Sequence, residues 1–525
     1  MNEFIAKFGD QVMGVLCGID RFVLRGTLRA ICHKQGMEGY LSGCSVLLKD
    51  FGCHVQEVSA RLKQASLAAA QKLGREVRYL ASPQLDKEKI ACSIATEQKI
   101  TEGLICVLTC VEPCQSFEVY RNPESKRLEL EPRLRKCLFL YQYSIHPRFG
   151  FMNARIQTWF PFSIQICLNG REWLARPMDA QGLCYVRQDN CFPWIDDFAR
   201  AQRLMDGQLR ISWPNSLEAI ARQLNPIHEE IFGQVPVHYY WTIHQSEWAS
   251  DIAFRDAAVL RRLYPLLLHH AVTSFGSPQV LRFLGHRTCQ DGRVPGWFHG
   301  EVTTDLRERQ EGIRIKHTVN ENSVKLYDKA YTPQGSILRP EVTLNNPADL
   351  RVYRPKEGDP KGPKAWRPLR RGIADAYRRG QVSQQVINRY LQALAQVDDT
   401  TRLEELLRPL GRPVTWKRKR VRALHPLQGP DADLLEAVGR GEFFLNGLRN
   451  RDLQGILFVQ APGSTQDKRR RSAWVSRQIR LLRAHGLIRK VPRENRYHVT
   501  KSGRTVITAI LAARKATISR LSKAA

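Results

Sequence analysis

Residues 472–500 have the sequence SAWVSRQIRLLRAHGLIRKVPRENRYHVT, and this stretch decides the fold of the C-terminal part of the chain. Three apolar residues recur at helical spacing in its first half: Val475, Ile479 and Leu482. The spacing predicts a helix over Ser472–His485, and Gly486 ends it, because glycine commonly follows the last helical turn. Leu487–Val491 and Arg496–Thr500 are short strand-like segments separated by turn residues, so we expect a two-stranded hairpin after the helix.

Further helices are predicted on both sides of this stretch. Asp431–Val438 has the pattern of a first helix, and Asn446–Phe458 has the pattern of a second. Thr505–Leu521 has the pattern of a closing helix. The predicted order over residues 428–525 is therefore three helices, a two-stranded hairpin and a final helix.

This order is typical of a winged helix-turn-helix domain. Ser476–Ile488 resembles the recognition helix of MarR-type winged-helix regulators, and Arg496–Arg504 resembles their return strand. The resemblance implies that the third helix enters the major groove of DNA. Its outward polar residues would then face the bases: Ser476, Arg477, Arg480 and Arg483. Arg493 and Arg496 of the wing would approach phosphate or the minor groove. The alternative is a winged helix that contacts another protein.

The charge of the chain points to a polyanionic partner. The 525 residues include 81 Lys and Arg against 51 Asp and Glu, a formal net charge of +30. Each phosphate that Lys or Arg neutralises releases condensed counterions, so we expect DNA as the partner, with RNA as the alternative. Residues 461–525 alone hold 17 Lys and Arg and only two acids. Two basic runs are the expected phosphate contacts: Arg469, Arg470 and Arg471 before the third helix, and Lys417, Arg418, Lys419 and Arg420 in the preceding linker.

Residues 235–355 predict an antiparallel sheet of β-α-β-β-β order. Val237–Phe254 has the pattern of a long strand, and Arg255–Phe275 has that of an amphipathic helix. Three successive strands follow: Gly312–Val319, Ser323–Lys329 and Ile337–Leu344. The last two contain the motifs SVKLYDK and LRPEVTL, whose side chains alternate between the two faces of a sheet.

These two motifs resemble the core of the rolling-circle replication initiators of phages and plasmids. The resemblance implies that Tyr327 attacks DNA while Asp328 and Glu341 meet across neighbouring strands and hold Mg²⁺ or Mn²⁺. Two more carboxylates are available on the first long strand: Glu247 and Asp251. The chain departs from the family because it lacks a metal-binding His-hydrophobe-His triplet, and because Pro340 interrupts the strand. The alternative is a structural tyrosine and a Lys–Asp pair in a nucleic-acid-binding sheet.

A rival catalytic carboxylate is Asp20 on the apolar strand Val15–Leu24. This placement resembles that in nucleases and transposases of the ribonuclease H type, with Glu112 or Glu118 as a partner, and the alternative is a turn or an ion pair. Arg148–Ala175 interleaves aromatic residues with arginines, which suits either base stacking or a core. This last segment also looks like one found in uncharacterised bacterial proteins of mobile elements.

The remaining segments complete a multidomain fold of mixed α/β and α+β character. Residues 1–120 alternate strand and helix, and residues 121–234 are β-rich and aromatic with additional helices. Residues 356–427 combine a helical segment with the basic linker. Asn169-Gly170 predicts a hairpin turn.

The cysteines and the lack of targeting segments predict a cytoplasmic protein without a membrane partner. The chain has 13 cysteines and no CxxC pattern, and it shows neither a signal peptide nor an apolar run long enough to span a membrane. Cys106, Cys110 and Cys114 recur at every fourth position, as a metal site or as buried thiols.

Together these features predict a nucleic-acid-binding protein of a bacterial mobile element. We expect a DNA-recognising replication initiator or transposase-like enzyme that acts on phosphodiester bonds. Winged-helix regulators often dimerise, so a homodimer is one expected assembly. The alternative is another assembly enforced by the residues that precede the domain. The alternative is a non-catalytic DNA- or RNA-binding protein, either a transcriptional regulator or a partner of a structured RNA.

Overall fold

The computed structural model describes residues 1–286, 294, 296, 298–309, 312–332, 335–356, 358–359, 361–396, 403–440, 443, 447–458, 460–492 and 494–515. Its strands are β1 (Val12–Leu28), β2 (Glu76–Leu80), β3 (Gly103–Arg121), β4 (Leu128–His146), β5 (Gly150–Gln157), β6 (Ile164–Asn169), β7 (Tyr185–Gln188), β8 (Cys191–Ile195), β9 (Tyr239–Phe254), β10 (Val302–Arg309), β11 (Gly312–Val319), β12 (Asn322–Thr332), β13 (Gly335–Leu344), β14 (Arg351–Arg354), β15 (Ala365–Pro368), β16 (Val414–Trp416), β17 (Lys419–Val421), β18 (Ile488–Lys490) and β19 (Tyr497–Val499).

The α-helices in the same residues are α1 (Asn2–Phe8), α2 (Lys34–Gly43), α3 (Phe51–Lys72), α4 (Lys87–Glu97), α5 (Gly170–Ala180), α6 (Phe198–Gly207), α7 (Trp213–Leu224), α8 (His228–Phe232), α9 (Ala257–Ser274), α10 (Ser277–Phe283), α11 (Ala376–Leu394), α12 (Leu403–Leu407), α13 (Gly429–Val438), α14 (Asn450–Leu457), α15 (Thr465–Ala484) and α16 (Lys501–Lys515). The chain is therefore of mixed α/β class, as predicted.

Eleven of the described strands form one mixed sheet, in the order β10-β11-β12-β13-β9-β1-β6-β5-β4-β3-β2. Among the described strands of this sheet, only β2 and β3, which lie at one edge, pair in the parallel direction. The sheet crosses the boundaries predicted between 120 and 121 and between 234 and 235, and the first boundary falls inside β3. The reason is that strand pairing joins segments that are distant in sequence, and composition along the chain does not record it.

The middle strands pair in the antiparallel manner that the sequence predicts. β12 pairs with both β11 and β13, and β13 pairs with β9. One more strand, β10, and a second helix, α10, lie between α9 and β11. β9 also pairs with β1 over almost its whole length, so these strands share the large sheet with the N-terminal part of the chain.

The central strands have two different faces. We call one of them the polar face. On this face, Phe198 and Met205 of α6 pack directly against Gly14 and Gly18 of β1, and a Cβ at either glycine would overlap them. α5, α6 and the β7–β8 hairpin cover part of this face. The opposite, apolar face packs against α9 and α11, and there the buried Arg379 of α11 donates to Ser246 Oγ at 2.7 Å.

A fully buried charge network joins the central strands to α5 on the polar face. Asp251 of β9 accepts from Arg171 of α5 at 3.1 and 2.8 Å and from Arg339 of β13 at 2.5 and 3.0 Å. The side chains of all three residues are 0% exposed. Burial disfavours the Asp251 carboxylate, but the two guanidinium groups hold its pKa below the usual value. The network stabilises the fold only while it is complete, because a buried charge without a partner is very costly.

The first turn of α5 positions Arg171 in this network. Asn169 Oδ1 accepts from the backbone N–H groups of Arg171 and Glu172, at 2.8 and 3.1 Å, and so caps the helix. Gly170 is required because its backbone lies against the Ile19 carbonyl, which a Cβ would overlap. The hairpin turn predicted at Asn169-Gly170 is therefore wrong, because the same residue pair also suits a helix start.

Residues 403–515 form a second unit around their own apolar core, which we call the C-terminal unit. Its core includes residues of all four long helices: Leu434, Leu435, Leu453, Val475, Ile479, Leu482 and Ile507. α13 and α14 correspond to the first two predicted helices, and α15 begins earlier than predicted because Ser464 Oγ accepts from the Asp467 backbone N–H at 3.1 Å. The predicted end of the closing helix, at Leu521, lies outside the described residues.

We expect Asp251→Ala to destabilise the protein strongly. The substitution leaves Arg171 and Arg339 as buried cations without their carboxylate, which costs about 3–5 kcal/mol in unfolding free energy. Urea unfolding followed by tryptophan fluorescence would measure the loss.

The matched control is Glu404→Ala, which removes a carboxylate paired with Arg408 at 3.0 Å on the surface, where the side chains are 75% and 60% exposed. This change should cost no more than about 0.5 kcal/mol. Equal losses for the two variants would contradict the importance of the buried network.

Candidate functional site

Asp20 is part of the buried network and is held by groups from three other elements. Asn190, between β7 and β8, donates to both carboxylate oxygens of Asp20 at 3.0 Å, and Arg339 donates to Oδ1 at 3.4 Å. Lys329 of β12 donates to Asn190 Oδ1 at 2.9 Å. Burial raises the pKa of Asp20, and Arg339 opposes this shift. These contacts favour the ion-pair interpretation of Asp20, which connects the β7–β8 hairpin to the sheet.

The partners predicted for a catalytic Asp20 lie elsewhere. Glu112 is on β3, and β6, β5 and β4 separate β3 from β1. Its carboxylate accepts from Arg155 at 2.7 Å and from the Tyr141 hydroxyl at 2.5 Å. Glu118 accepts from Arg133 at 3.0 Å on the surface. A two-carboxylate site built from Asp20 and either glutamate is therefore wrong, because three strands keep the groups apart.

A second acidic group lies on the polar face beside the network. Glu341 of β13 is paired with Lys325 of β12 at 2.6 Å, and Glu247 lies on the neighbouring strand β9. Burial, followed by the negative charge of Glu341, raises the pKa of Glu247 to about 7. Although burial disfavours the Lys325 cation, Glu341 raises its pKa above the usual value. Glu247 therefore titrates near neutral pH, while Lys325 holds its proton.

Tyr327 shares the polar face with this acidic group. Burial and the charge of Glu341 both raise its pKa, which makes the phenol harder to ionise. Its ring lies 6.0 Å from the Arg314 guanidinium and 5.8 Å from the Lys329 ammonium. This arrangement does not activate the hydroxyl as a nucleophile, although it brings Tyr327 and Glu341 to one face as the sequence predicts.

Asp328 does not join Tyr327 and Glu341. Lys325 and Glu341 are cross-strand partners on the polar face, and Asp328 lies an odd number of residues from Lys325 on the same strand. Its side chain therefore points to the apolar face. The prediction that Asp328 and Glu341 meet across neighbouring strands is wrong, because a one-residue offset on a strand reverses the face. Binding of Mg²⁺ or Mn²⁺ stays a prediction.

The described residues contain no group of three His, Cys, Asp or Glu side chains that could hold a metal ion. Cys106, Cys110 and Cys114 are buried thiols on β3, as the second interpretation of their spacing predicts. The aromatic residues of 148–175 are mostly core, as Phe149, Phe160 and Phe162 illustrate with no more than 1% exposure. They are therefore not available to stack on bases.

The C-terminal unit has the basic surface that the sequence predicts on α15. Arg469, Arg470, Ser476, Arg477 and Arg480 are exposed along the outward side of this helix. The buried residues of the helix are Val475, Ile479, Leu481 and Leu482, of which Val475, Ile479 and Leu482 share one face. Ser476 is also anchored, because its Oγ accepts from Asn450 Nδ2 of α14 at 2.8 Å.

Two other predicted arginines have structural contacts. Arg471 is half-buried and pairs with Asp467 at 2.7 Å, one turn earlier on the helix. The Arg483 guanidinium lies 5.0 Å from the Trp416 ring and 5.6 Å from the Tyr497 ring. Arg483 therefore contacts both hairpins next to α15, the one that contains Trp416 and the one that contains Tyr497, and is only partly exposed to solvent.

The predicted basic linker is a β-hairpin that packs beside α15. β16 and β17 pair directly, and Lys417 and Arg418 form the tip between them with φ values of 50° and 60°. Residues with side chains rarely adopt this left-handed backbone, so two successive ones hold strain at the tip. Lys417, Arg418, Lys419 and Arg420 are all exposed. The hairpin thus extends the positive surface of α15.

Residues of the predicted wing have different positions. β18 and β19 form the expected hairpin, and Leu448 adds a bridge to Tyr497 at its edge. Arg493 lies outside the described residues. Arg496 pairs with Glu494 at 3.5 Å. Its guanidinium also lies 4.9 Å from the Tyr353 ring of the sheet body, by which we mean residues 1–394. Arg496 therefore contacts the other unit, a position that sequence patterns did not indicate.

Several residues that organise these sites were missed from the sequence. Arg171 and Arg339 are fully buried, although arginine is almost never fully buried unless it is paired. Asn190 belongs to a short connection that carries no motif. An arginine inside the apolar run of a strand, as at Arg339, is the one sequence feature that could have indicated a buried partner.

No described helix has both the length and the apolar character that crossing a bilayer requires. Comparisons of the chain with models of known protein families, with curated proteins and with solved structures found no match in any of the three.

We expect Glu247→Gln to increase the stability of the protein over that of the wild type by more at pH 8 than at pH 5. Because the pKa of Glu247 rises from an ordinary 4.5 to about 7 on folding, the wild type loses stability as pH increases through this interval. The glutamine variant lacks this loss. Its melting temperature minus that of the wild type should therefore be higher at pH 8 than at pH 5.

Glu404→Gln, at an exposed helical position, is the control and should show no such difference between the two pH values. A variant-minus-wild-type difference that is the same at pH 5 and pH 8 for Glu247→Gln would show that Glu247 does not titrate in this interval.

Proposed function

We propose that the protein binds duplex DNA and that the C-terminal unit does so as a winged-helix domain. The observation that carries this proposal is the outward side of α15, on which Arg469, Arg470, Arg477 and Arg480 are exposed. An exposed guanidinium can contact guanine bidentately in the major groove or neutralise a phosphate. The helix order and the hairpin β18–β19 support the comparison with MarR-type regulators.

The surroundings of α15 support contacts with the DNA backbone on both ends of the helix. Arg469 and Arg470 lie in the second turn of the helix, where their exposed guanidinium groups can neutralise phosphate. Lys417 and Arg418 at the tip of the β16–β17 hairpin lie near its last turns. In this proposal the base contacts come from Ser476, Arg477 and Arg480, and the flanking cations set the register along the duplex.

The sheet body serves as a scaffold in this proposal. The acidic residues and arginines of its central strands form ion pairs with each other, so few of their charges are available to bind a substrate. A role in a bacterial mobile element and dimerisation both stay predictions. Binding to a structured RNA is the competing function, and the experiment below distinguishes it.

Substitution of the α15 arginines should weaken duplex binding. For the full-length protein with Arg477→Ala and Arg480→Ala together, we expect about tenfold or greater loss of affinity for labelled mixed-sequence duplex DNA. Each lost bidentate base contact costs about 1–3 kcal/mol, and each lost phosphate contact weakens binding to every sequence. Fluorescence anisotropy at several salt concentrations would measure it, and wild-type affinity should fall steeply with salt.

The matched control is Arg61→Ala with Arg222→Ala, two exposed arginines on α3 and α7 of the sheet body. This pair should bind duplex DNA as the wild type does. Unchanged binding by the α15 variant would overturn the proposal. Tight binding to a folded RNA together with weak binding to every duplex would favour the RNA function.

The predicted cleavage reaction can be tested on the same DNA. Because Tyr327 is buried and Asp328 and Glu341 lie on opposite faces, we expect no covalent Tyr327–DNA adduct in Mg²⁺ or Mn²⁺. Labelled single- and double-stranded DNA incubated with the wild type and with Tyr327→Phe would be separated on denaturing gels. An adduct formed by the wild type and lost in Tyr327→Phe would restore the replication-initiator hypothesis.

A further inference from the structure

A cavity of about 800 Å³ lies between the sheet body and the C-terminal unit. One wall comes from β14, β15, α11 and the segment at His286, and the other comes from residues around α14 and from Arg496. The size matches the pockets that hold small organic ligands. It is a different surface from the outward side of α15.

The cavity is strongly cationic. Of the described residues that line it, seven are Lys or Arg and two are Asp. Asp452 accepts from the Arg449 backbone N–H at 2.8 Å and lies 3.8 Å from the Arg451 guanidinium, and Asp349 accepts from Asn320 at 3.1 Å. The positive charge is therefore in clear excess, which favours an anionic ligand.

Two buried nitrogen atoms at the cavity have no hydrogen-bond partner among the described residues, one in Arg389 and one in His286. Arg389 donates through Nε and Nη2 to the Phe283 carbonyl at 2.9 and 2.5 Å, but its buried Nη1 has no acceptor. His286 is 9% exposed, and its Nε2 is likewise without a partner. Burial lowers the pKa of Arg389, as expected for a cation that lacks an anion. An unsatisfied buried polar atom is costly. Ligand oxygens would satisfy Arg389 Nη1, and they would satisfy His286 Nε2 in the tautomer that carries its proton there.

The cavity also offers aromatic surface beside the cations. The rings of Tyr353 and Trp366 lie 5.5 Å apart, and Tyr353 is 39% exposed. The Arg496 guanidinium lies 4.9 Å from the Tyr353 ring and 6.0 Å from the Trp366 ring. Aromatic side chains next to arginines are the usual platform for a planar base with a phosphate attached.

We propose that this interdomain cavity is a nucleotide site that binds phosphate groups joined to a planar base. Arg389 and His286 meet the phosphate oxygens, other arginines such as Arg351 and Arg451 supply further charge, and Tyr353 with Trp366 contacts the base. The nucleotide is either free or part of a single strand, because both present the same chemistry. Since both units line the cavity, an occupant fixes the C-terminal unit against the sheet body.

The test uses the full-length protein and two probes, ATP and a labelled single-stranded oligonucleotide of about 12 nucleotides. The wild type should bind one or both, and Arg351→Ala with Arg451→Ala should weaken that binding about tenfold, a loss of about 1.4 kcal/mol. These two arginines are exposed, so their loss should leave the melting temperature of the free protein unchanged. Tyr353→Ala is a second variant with the same expected loss.

The control variant is Arg477→Ala with Arg480→Ala, which changes α15 and not the cavity. It should bind ATP as the wild type does even where duplex binding is lost, so failure of this site and failure of the duplex proposal are separate results. Binding of ATP that competes with the oligonucleotide identifies a free nucleotide, and binding of the oligonucleotide alone identifies a strand. No binding of either probe up to about 1 mM, or wild-type binding by both cavity variants, would overturn the proposal.

Discussion

The fold depends on one carboxylate, Asp251, which is shared by two arginines in the middle of the sheet. Arg171 comes from a helix and Arg339 from a neighbouring strand, and none of the three side chains reaches water. Desolvation of three charges is unfavourable, so the arrangement persists only because hydrogen bonds satisfy them in one geometry. That geometry sets the position of α5 on the sheet and, through Asn190 and Asp20, the position of the β7–β8 hairpin.

The sheet body and the C-terminal unit differ in whether their charged residues are paired with each other or left exposed. In the sheet body, acidic residues that the sequence offers as catalytic groups form ion pairs with basic residues, as Glu341 does with Lys325. In the C-terminal unit, basic residues on the outward side of α15 have few acidic neighbours and stay exposed. Between the two units, arginines gather around a cavity with an excess of positive charge. Function is therefore expected at the surfaces where charge is left unpaired.

Local structure could be predicted well from the sequence where the periodicity was strong. The strands around Tyr327 and Glu341 and the helices of the C-terminal unit occur near their predicted positions. Asn169-Gly170 was misjudged because a hairpin turn and a helix N-cap favour the same residues. The pairing of Asp328 with Glu341 failed for another reason: strand alternation fixes which face a residue takes only after the register is known.

The sequence by itself determined the excess of positive charge, its concentration near the C-terminus and the order of helices and strands there, because these depend on composition and on short-range spacing. Only the tertiary structure decided which charges are neutralised. Arg339 meets Asp20 from 319 positions away along the chain, and Arg171 meets Asp251 from 80 positions away. The tertiary structure also places Arg496, which the sequence predicts as a DNA contact, against Tyr353 of the other unit. Electrostatic partners are chosen by distance in space, and a single sequence records only distance along the chain.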